Sequence, residues 1–412
     1  MTRALERITA TTDVHSHLGD ATGLLAHLHQ ARTTSLVVDC GDFFEGTGYY
    51  RLGGGGIERD ILTSLYDVVA PGNHGWAHHF DPKLYELTVC ANAVDDASGK
   101  PLFRRLHRAQ IAGRTVAVTA VIGLQAFDAI PITDRRGHRV TDPGRALVEL
   151  LMEHHHEVDS WILLSHSGFA EDLQLADACP FLDVVFSGHC HSDHYAPEPV
   201  GDTLVVKGPE HAVGYAVAEP VAHGWGARAH RFPSGLNLPP ALEPVGRRIE
   251  GLREQLSAPL APLLGRWQEQ VPDRREILAE VARRLHHGLG APVVLNQTAL
   301  RPARLGTMLR WQDLLDIEPF GNRLVHVDLP PDLATDQAAL LARLTERAGP
   351  LVLCPDPLPS ELVSIMTTDY LAQTLPGSRT RSAASGQDLE LDQAVAHVLA
   401  EPALLTEEGG PL

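Results

Sequence analysis

Five short motifs in the first half of the chain bring together side chains suited to binding cations. They are Asp13-Val14-His15, Gly41-Asp42, Gly72-Asn73-His74, Ser165-His166 and Gly188-His189-Cys190-His191. Their carboxylate, amide and imidazole donors form an oxygen and nitrogen set that divalent Mn, Zn, Fe or Co accepts. In Asp13-x-His15 and His189-x-His191 the donors stand two residues apart, and such residues face one side of an extended segment. Glycines before Asp42, Asn73 and His189 permit tight turns and close backbone approach. With 23 histidines in the chain, an isolated histidine is usually a surface or packing group. His154-His155-His156 and His286-His287 read as solvated helix faces, and His17 as a structural neighbour of the cluster. Five motifs in one order, each closing an apolar run, point instead to a metal centre.

Those apolar runs are the elements that must position the donors. Val-, Ile- and Leu-rich stretches at 7–12, 35–39, 67–70, 87–91, 115–122, 161–164 and 183–186 end at or near Gly, Asp, Asn or His, as buried strands do. Helix-like stretches at 21–30 and 145–157 lie between them, so an α/β layered domain is expected, with its site at the loops beyond strand ends. The run Gly53-Gly54-Gly55-Gly56 has no strand before it and no Lys-Ser/Thr after it, so it reads as a flexible loop and not a phosphate-binding fingerprint.

A Pro/Gly-marked stretch at 232–240 closes this region, and residues 242–256 read as an amphipathic connecting helix. The expected organisation is a domain at 1–238, a linker helix at 239–257 and a second domain at 258–412. A chain of 412 residues suits two domains of roughly 150–250 residues each. The net charge of −18 argues against a nucleic-acid polymer as partner, because there is no basic surplus to displace phosphate counterions. A small phosphorylated ligand stays compatible, since a local metal cluster outweighs the global field. Five scattered cysteines without a Cys-x-x-Cys pair suggest reduced thiols, and no apolar run suits a membrane span. With no apolar leader after Met1, a cytoplasmic location is the expectation, with no membrane partner.

On these motifs, with Cys90-Ala91-Asn92 added, the chain resembles the calcineurin-like metallophosphoesterases. Within them it is most similar to the 5′-nucleotidase group, which includes UDP-sugar hydrolases and cyclic-nucleotide phosphodiesterases. The resemblance implies an N-terminal β-sandwich flanked by helices, a helical linker and a smaller α+β C-terminal domain that binds substrate. It also implies two divalent metal ions. Asp13, His15 and His191 would hold one, Asn73, His166 and His189 the other, and Asp42 would bridge them. His74 would stabilise the developing charge or assist the leaving group.

The resemblance has departures. The family usually continues Gly-Asn-His-Glu-Phe-Asp, and its final Asp orients the catalytic His. Here the run is Gly72-Asn73-His74-Gly75-Trp76-Ala77, with His78, His79 and Asp81 as nearby substitutes. In the second domain, Pro319-Phe320-Gly321-Asn322 resembles the segment whose Phe stacks on the nucleobase, and Tyr370 matches the second stacking aromatic. Asn296 and Arg301 keep the spacing of a substrate-contacting motif whose two glycines are lost. Thr374-Leu375-Pro376 replaces the family's ribose-binding Gly-Gly-Asp.

The resemblance therefore implies a phosphomonoesterase acting on a nucleotide or a related small metabolite, and the lost ribose-binding Asp and altered glycines suggest a modified substrate, an intermediate of a specialised pathway. A phosphodiesterase or pyrophosphohydrolase of cyclic nucleotides or nucleotide sugars shares the same centre. A catalytically weak, metal-bound binding protein is the third reading, motivated by Ala77.

Overall fold

The computed structural model describes residues 3–375, 377–382 and 389–400, so Pro376 lies outside the described residues. Two compact units divide the chain, residues 1–253 and residues 254–412. The boundary falls inside helix Glu243–Ser257.

The first unit is built on two facing sheets. One has the order Trp225–Arg231, Gly214–Pro220, Arg7–Thr11, Ser35–Asp39, Val68–Val69, with the last three strands parallel. The other runs Glu198–Val200, Thr203–Val206, Val184–Ser187, Ser160–His166, Arg114–Ile122, His107–Ile111, with four parallel strands between antiparallel edges. Side chains alternate across each strand, and both faces of the central strands are buried. Ile8, Leu36 and Val38 meet Val116, Ile162, Leu164 and Phe186 in the core between the sheets. Val37 points the other way, onto helices Thr22–Ala31 and Gly56–Leu65 through Leu24, Leu28, Ile57 and Ile61. Leu163 and Val185 likewise meet helices Pro143–His154 and Phe169–Ala178. The result is helix, sheet, sheet, helix, and each fully buried Val or Leu contributes roughly 1.5–3 kcal/mol of transfer free energy.

Two expectations about elements need correction. Residues 87–91 do not form a strand. Thr88 and Val89 make only single bridges, to Val69 and Arg104, because Pro71 and Gly72 end the neighbouring strand at once. The glycine run is not a loop either. Gly53 ends one helix, Gly54 and Gly55 take left-handed backbone, and Gly56 opens the next helix.

The second unit centres on a sheet of order Leu351–Cys354, Val293–Asn296, Ser364–Thr368, Arg323–Asp328, Arg379–Ser382, with Leu389–Glu390 also paired to Arg323–Asp328. Val293, Leu295 and Met366 face helices Arg274–Leu289 and Leu391–Leu399. Val294, Val327 and Ile365 face helix Gln337–Ala348. Strand Val293–Asn296 runs parallel to Ser364–Thr368, and Arg323–Asp328 runs antiparallel to the latter. Asn296, the turn before Arg323 and the residues after Thr368 therefore collect at one end of this sheet.

Among the described residues no helix is long and apolar enough to cross a membrane. All five cysteines are free thiols.

Candidate metal centre

All five motifs leave the same end of the two facing sheets. Asp13 and His15 follow strand Arg7–Thr11, Asp42 follows Ser35–Asp39, and Asn73 and His74 follow Val68–Val69. His166 ends Ser160–His166, and His189 and His191 follow Val184–Ser187. Backbone hydrogen bonds knit the first two loops together: Asp13 N to Gly41 O, His15 N to Asp42 O and Ser16 N to Phe43 O. Asp13, His15, Asp42 and His189 all hold left-handed backbone, with φ of 49°, 49°, 55° and 72°. Non-glycine residues in that region carry roughly 1–3 kcal/mol of strain each, so the surrounding structure must enforce it. Gly72 has no such freedom of replacement, because a Cβ there would overlap Asp42 Oδ1.

The structure brings all seven sequence-identified donors into two adjoining groups. In one, His15 Nε2 faces His191 Nε2 at 3.2 Å, and Asp13 Oδ1 lies 3.9 Å and 3.7 Å from them. In the other, His166 Nε2 faces Asn73 Oδ1 at 3.2 Å, and His189 lies with His166 and Asp42 in one donor cluster. Asp42 reaches both groups, Oδ2 to His15 Nε2 at 3.7 Å and Oδ1 to His166 Nε2 at 3.3 Å.

The electrostatics fit a cation. His166 donates its Nδ1–H to Cys40 O at 2.8 Å, which turns Nε2 toward Asp42 and Asn73, two acceptor oxygens. Burial disfavours charge on His166, but the neighbouring Asp42 carboxylate prevails and pushes it up to about 9. The position between the Asp42 and Asn73 oxygens thus favours positive charge, which a divalent ion supplies in place of that proton. Burial pulls His15 down to about 3, so it is a neutral imidazole, the form that ligates metals. Burial would raise Asp42, yet His166, His74 and His15 together hold it well below the usual carboxylate range. Asp13 is also lowered: burial opposes this, and His191 and His166 outweigh it. It accepts from Thr12 Oγ1 at 2.5 Å and from His189 N at 3.1 Å.

The chain has counterparts among known proteins. A family model for calcineurin-like phosphoesterases matches residues 6–193. Residues 6–193 form a calcineurin-like phosphoesterase domain. The metallophosphoesterase YunD of Bacillus subtilis (strain 168), itself uncharacterised, is 25% identical over 201 residues, 45% of this chain and 43% of that protein. The snake venom 5′-nucleotidase of Crotalus adamanteus is 28% identical over 177 residues, 40% of this chain and 30% of its own. The chain therefore matches less than half the length of either relative. The fold extends further. A 5′-nucleotidase precursor from Thermus thermophilus superposes with a TM-score of 0.65 at 18% identity, over 95% of this chain and 96% of that one. That likeness includes the smaller C-terminal domain.

Inside the phosphoesterase domain, none of the substitutes considered for the missing Asp at position 77 turns to His74. His78 stacks on Phe44 with centroids 4.4 Å apart and meets Tyr50 Oη at 2.9 Å. His79 is buried against Thr88 Oγ1 at 3.0 Å, and Asp81 caps the next helix through Lys83 N. The partner is Glu45, whose Oε2 accepts from His74 Nδ1 at 2.8 Å. Burial opposes charge on His74, but the bond to Glu45 and the field of Asp42 raise it above its ordinary value. Sequence reasoning also passed over His211, whose ring lies 4.2 Å from that of His17 and 5.1 Å from that of His191.

In the second unit, Phe320 and Tyr370 are exposed, at 52% and 43%, which sets them apart from core aromatics. The Arg301 guanidinium lies over the Phe320 ring at 5.1 Å. Asn296 is buried. Its amide donates to Thr298 Oγ1 at 2.7 Å, and its oxygen has no protein partner among the described residues. Phe320 precedes strand Arg323–Asp328 and Tyr370 follows Ser364–Thr368, so both stand at the sheet end where Asn296 lies.

Proposed function

We propose that this protein hydrolyses a phosphate monoester of a nucleotide or a related small metabolite, releasing inorganic phosphate, with two divalent ions held by the seven donors. Asp13, His15 and His191 would hold one ion, Asn73, His166 and His189 the other, and Asp42 would serve both. The placement of Asp42 carries this reading, because its two oxygens face separate donor groups. When bound, two such ions supply a water-derived nucleophile at neutral pH and neutralise the phosphoryl oxygens. The chain orients the donors: Cys40 O sets the His166 ring, and Thr12 with His189 N fixes the Asp13 carboxylate. His74, partly exposed beside the cluster, has Nδ1 taken by Glu45 and so presents Nε2 to a substrate oxygen.

Phosphate release is the test, using mononucleotides, cyclic nucleotides, nucleotide sugars and sugar phosphates, with Mn²⁺ and after chelation. Turnover of a mononucleotide or a modified nucleotide, abolished by chelation and restored by metal, is expected. Hydrolysis of cyclic nucleotides or nucleotide sugars alone would move the reading to a diesterase or pyrophosphohydrolase. No hydrolysis of any ester under any metal condition would end it.

Phe320 and Tyr370 are the proposed base-stacking pair, with Arg301 and Asn296 as further substrate contacts. Base–aromatic stacking contributes about 1–3 kcal/mol. Phe320→Ala is therefore expected to lower kcat/KM for a nucleoside monophosphate at least about fivefold, mainly through KM. The same variant should leave a small alkyl phosphate unaffected. Equal losses on both substrates would remove Phe320 from substrate recognition.

A further inference from the structure

We infer that Glu45 is the positioning residue for His74, delivered from the loop after strand Ser35–Asp39 in place of a carboxylate at position 77. The inference rests on the phosphomonoesterase reading above. Glu45 grips the His74 loop at two points, Oε2 on His74 Nδ1 at 2.8 Å and Oε1 on Gly75 N at 2.9 Å. A carboxylate that uses both oxygens on adjacent residues fixes the tautomer and the direction of the ring as well as contacting it.

The backbone on both sides is shaped for this contact. Glu45 itself is left-handed at φ 65°, an uncommon state for a residue with a Cβ and one that clusters at functional sites. Gly75, also left-handed at φ 71°, is where a Cβ would lie 2.6 Å from Phe44 Cβ. The two departures at 75 and 77 are thus one change. A glycine at 75 lets the His74 loop close onto Phe44 and Glu45, and the carboxylate then arrives from Glu45. Both side chains remain about one-third exposed, so the pair stands at the open side of the cluster where a substrate can reach it.

In the reaction, a water oxygen forms the new bond to phosphorus while the bond from phosphorus to the leaving oxygen breaks. His74 Nε2 gives its proton to that oxygen, which departs as the alcohol, and solvent returns the proton. Glu45 holds the ring so that Nε2 points at that oxygen throughout. An alkoxide requires this proton, whereas p-nitrophenolate leaves at neutral pH without one.

The experiment is a mutant cycle on the full chain with Glu45→Gln, His74→Asn and the double variant. Each is assayed on the mononucleotide that the parent turns over and on p-nitrophenyl phosphate, with metal content and melting temperature measured. Glu45→Gln is expected to lower kcat on the nucleotide about 10- to 100-fold and on p-nitrophenyl phosphate less than about threefold. KM and metal content should stay unchanged, and the variant should cost nothing further in the His74→Asn background. Should Glu45→Gln lose metal or stability, Glu45→Asp, which keeps the charge and shortens the reach, must show the same pattern. Parent-like rates, equal losses on both substrates, or an undiminished loss in the His74→Asn background would each overturn the inference while leaving the phosphatase reading standing. A parent inert on every ester would instead overturn that reading, and this inference with it.

Discussion

With two ions bound as proposed, Asp42→Asn is expected to remove most of the activity and one of the ions. Asp42 is 2% exposed and shared: Oδ2 faces His15, Oδ1 faces His166, and Oδ1 also accepts the His74 backbone N–H at 2.8 Å. The amide keeps the shape and removes the charge. It also puts an NH₂ donor where an acceptor must serve one of the two groups. A charge-assisted interaction contributes about 1.5–3 kcal/mol, and losing one on each side gives about 4 kcal/mol, or about a 10³-fold fall in kcat/KM. Steady-state phosphate release together with elemental analysis of the purified variant checks this. Two ions retained with a rate within about threefold of the parent would mean that Asp42 does not bridge.

How much of this was legible in the sequence depends on how local each feature is. The strands at 7–11, 35–39 and 184–187 announce themselves as apolar runs closed by Asp, Gly or His, and each donor lies within a few residues of its strand end. The cluster could therefore be assembled on paper once the strands were taken to end on one side. Residues 87–91 have the same composition as a strand, but their pairing depends on how far a neighbour extends, and composition does not encode that. Gly53 to Gly56 look like a loop because glycine disfavours helices, yet only Gly54 and Gly55 make the turn, and packing of Ile57 and Ile61 draws Gly56 into the following helix. Glu45 was the least legible feature. It stands 29 residues from His74, and the two meet only through left-handed turns at 45 and 75. One signal was available. Gly75 and Ala77 depart from the pattern together, and a glycine replacing a larger residue implies that something else has come close. In the second unit, exposure now separates Phe320 and Tyr370 from core aromatics, which residue type alone could not do.

Lys207→Met is expected to destabilise the phosphoesterase domain by about 3–5 kcal/mol, the range for removing one partner of a buried ion pair. The side chain is fully buried just after strand Thr203–Val206, and its amine donates to Cys190 O at 3.0 Å, to Ser192 O and to Glu210. Glu210 is 7% exposed and also accepts from Tyr195 Oη, at 2.8 Å. Methionine fills the volume but takes the amine away from that carboxylate and from two carbonyls. At roughly 2–4 °C per kcal/mol for a domain of this size, the melting midpoint should fall by about 6–20 °C. The carbonyls belong to the residues flanking His191, so metal affinity should fall as well, by about 10- to 100-fold, as when other groups that orient ligands are lost. A second substitution separates the two effects. In Lys207→Met/Glu210→Gln the uncompensated charge is gone and most of the stability should return, while the His191 loop still lacks its anchor and metal affinity stays low. Calorimetry and metal titration of the two variants read these quantities independently. A single variant melting within about 2 °C of the parent would show that the amine is not the anchor, and recovery of metal affinity in the double variant would show that the loop is held by something else.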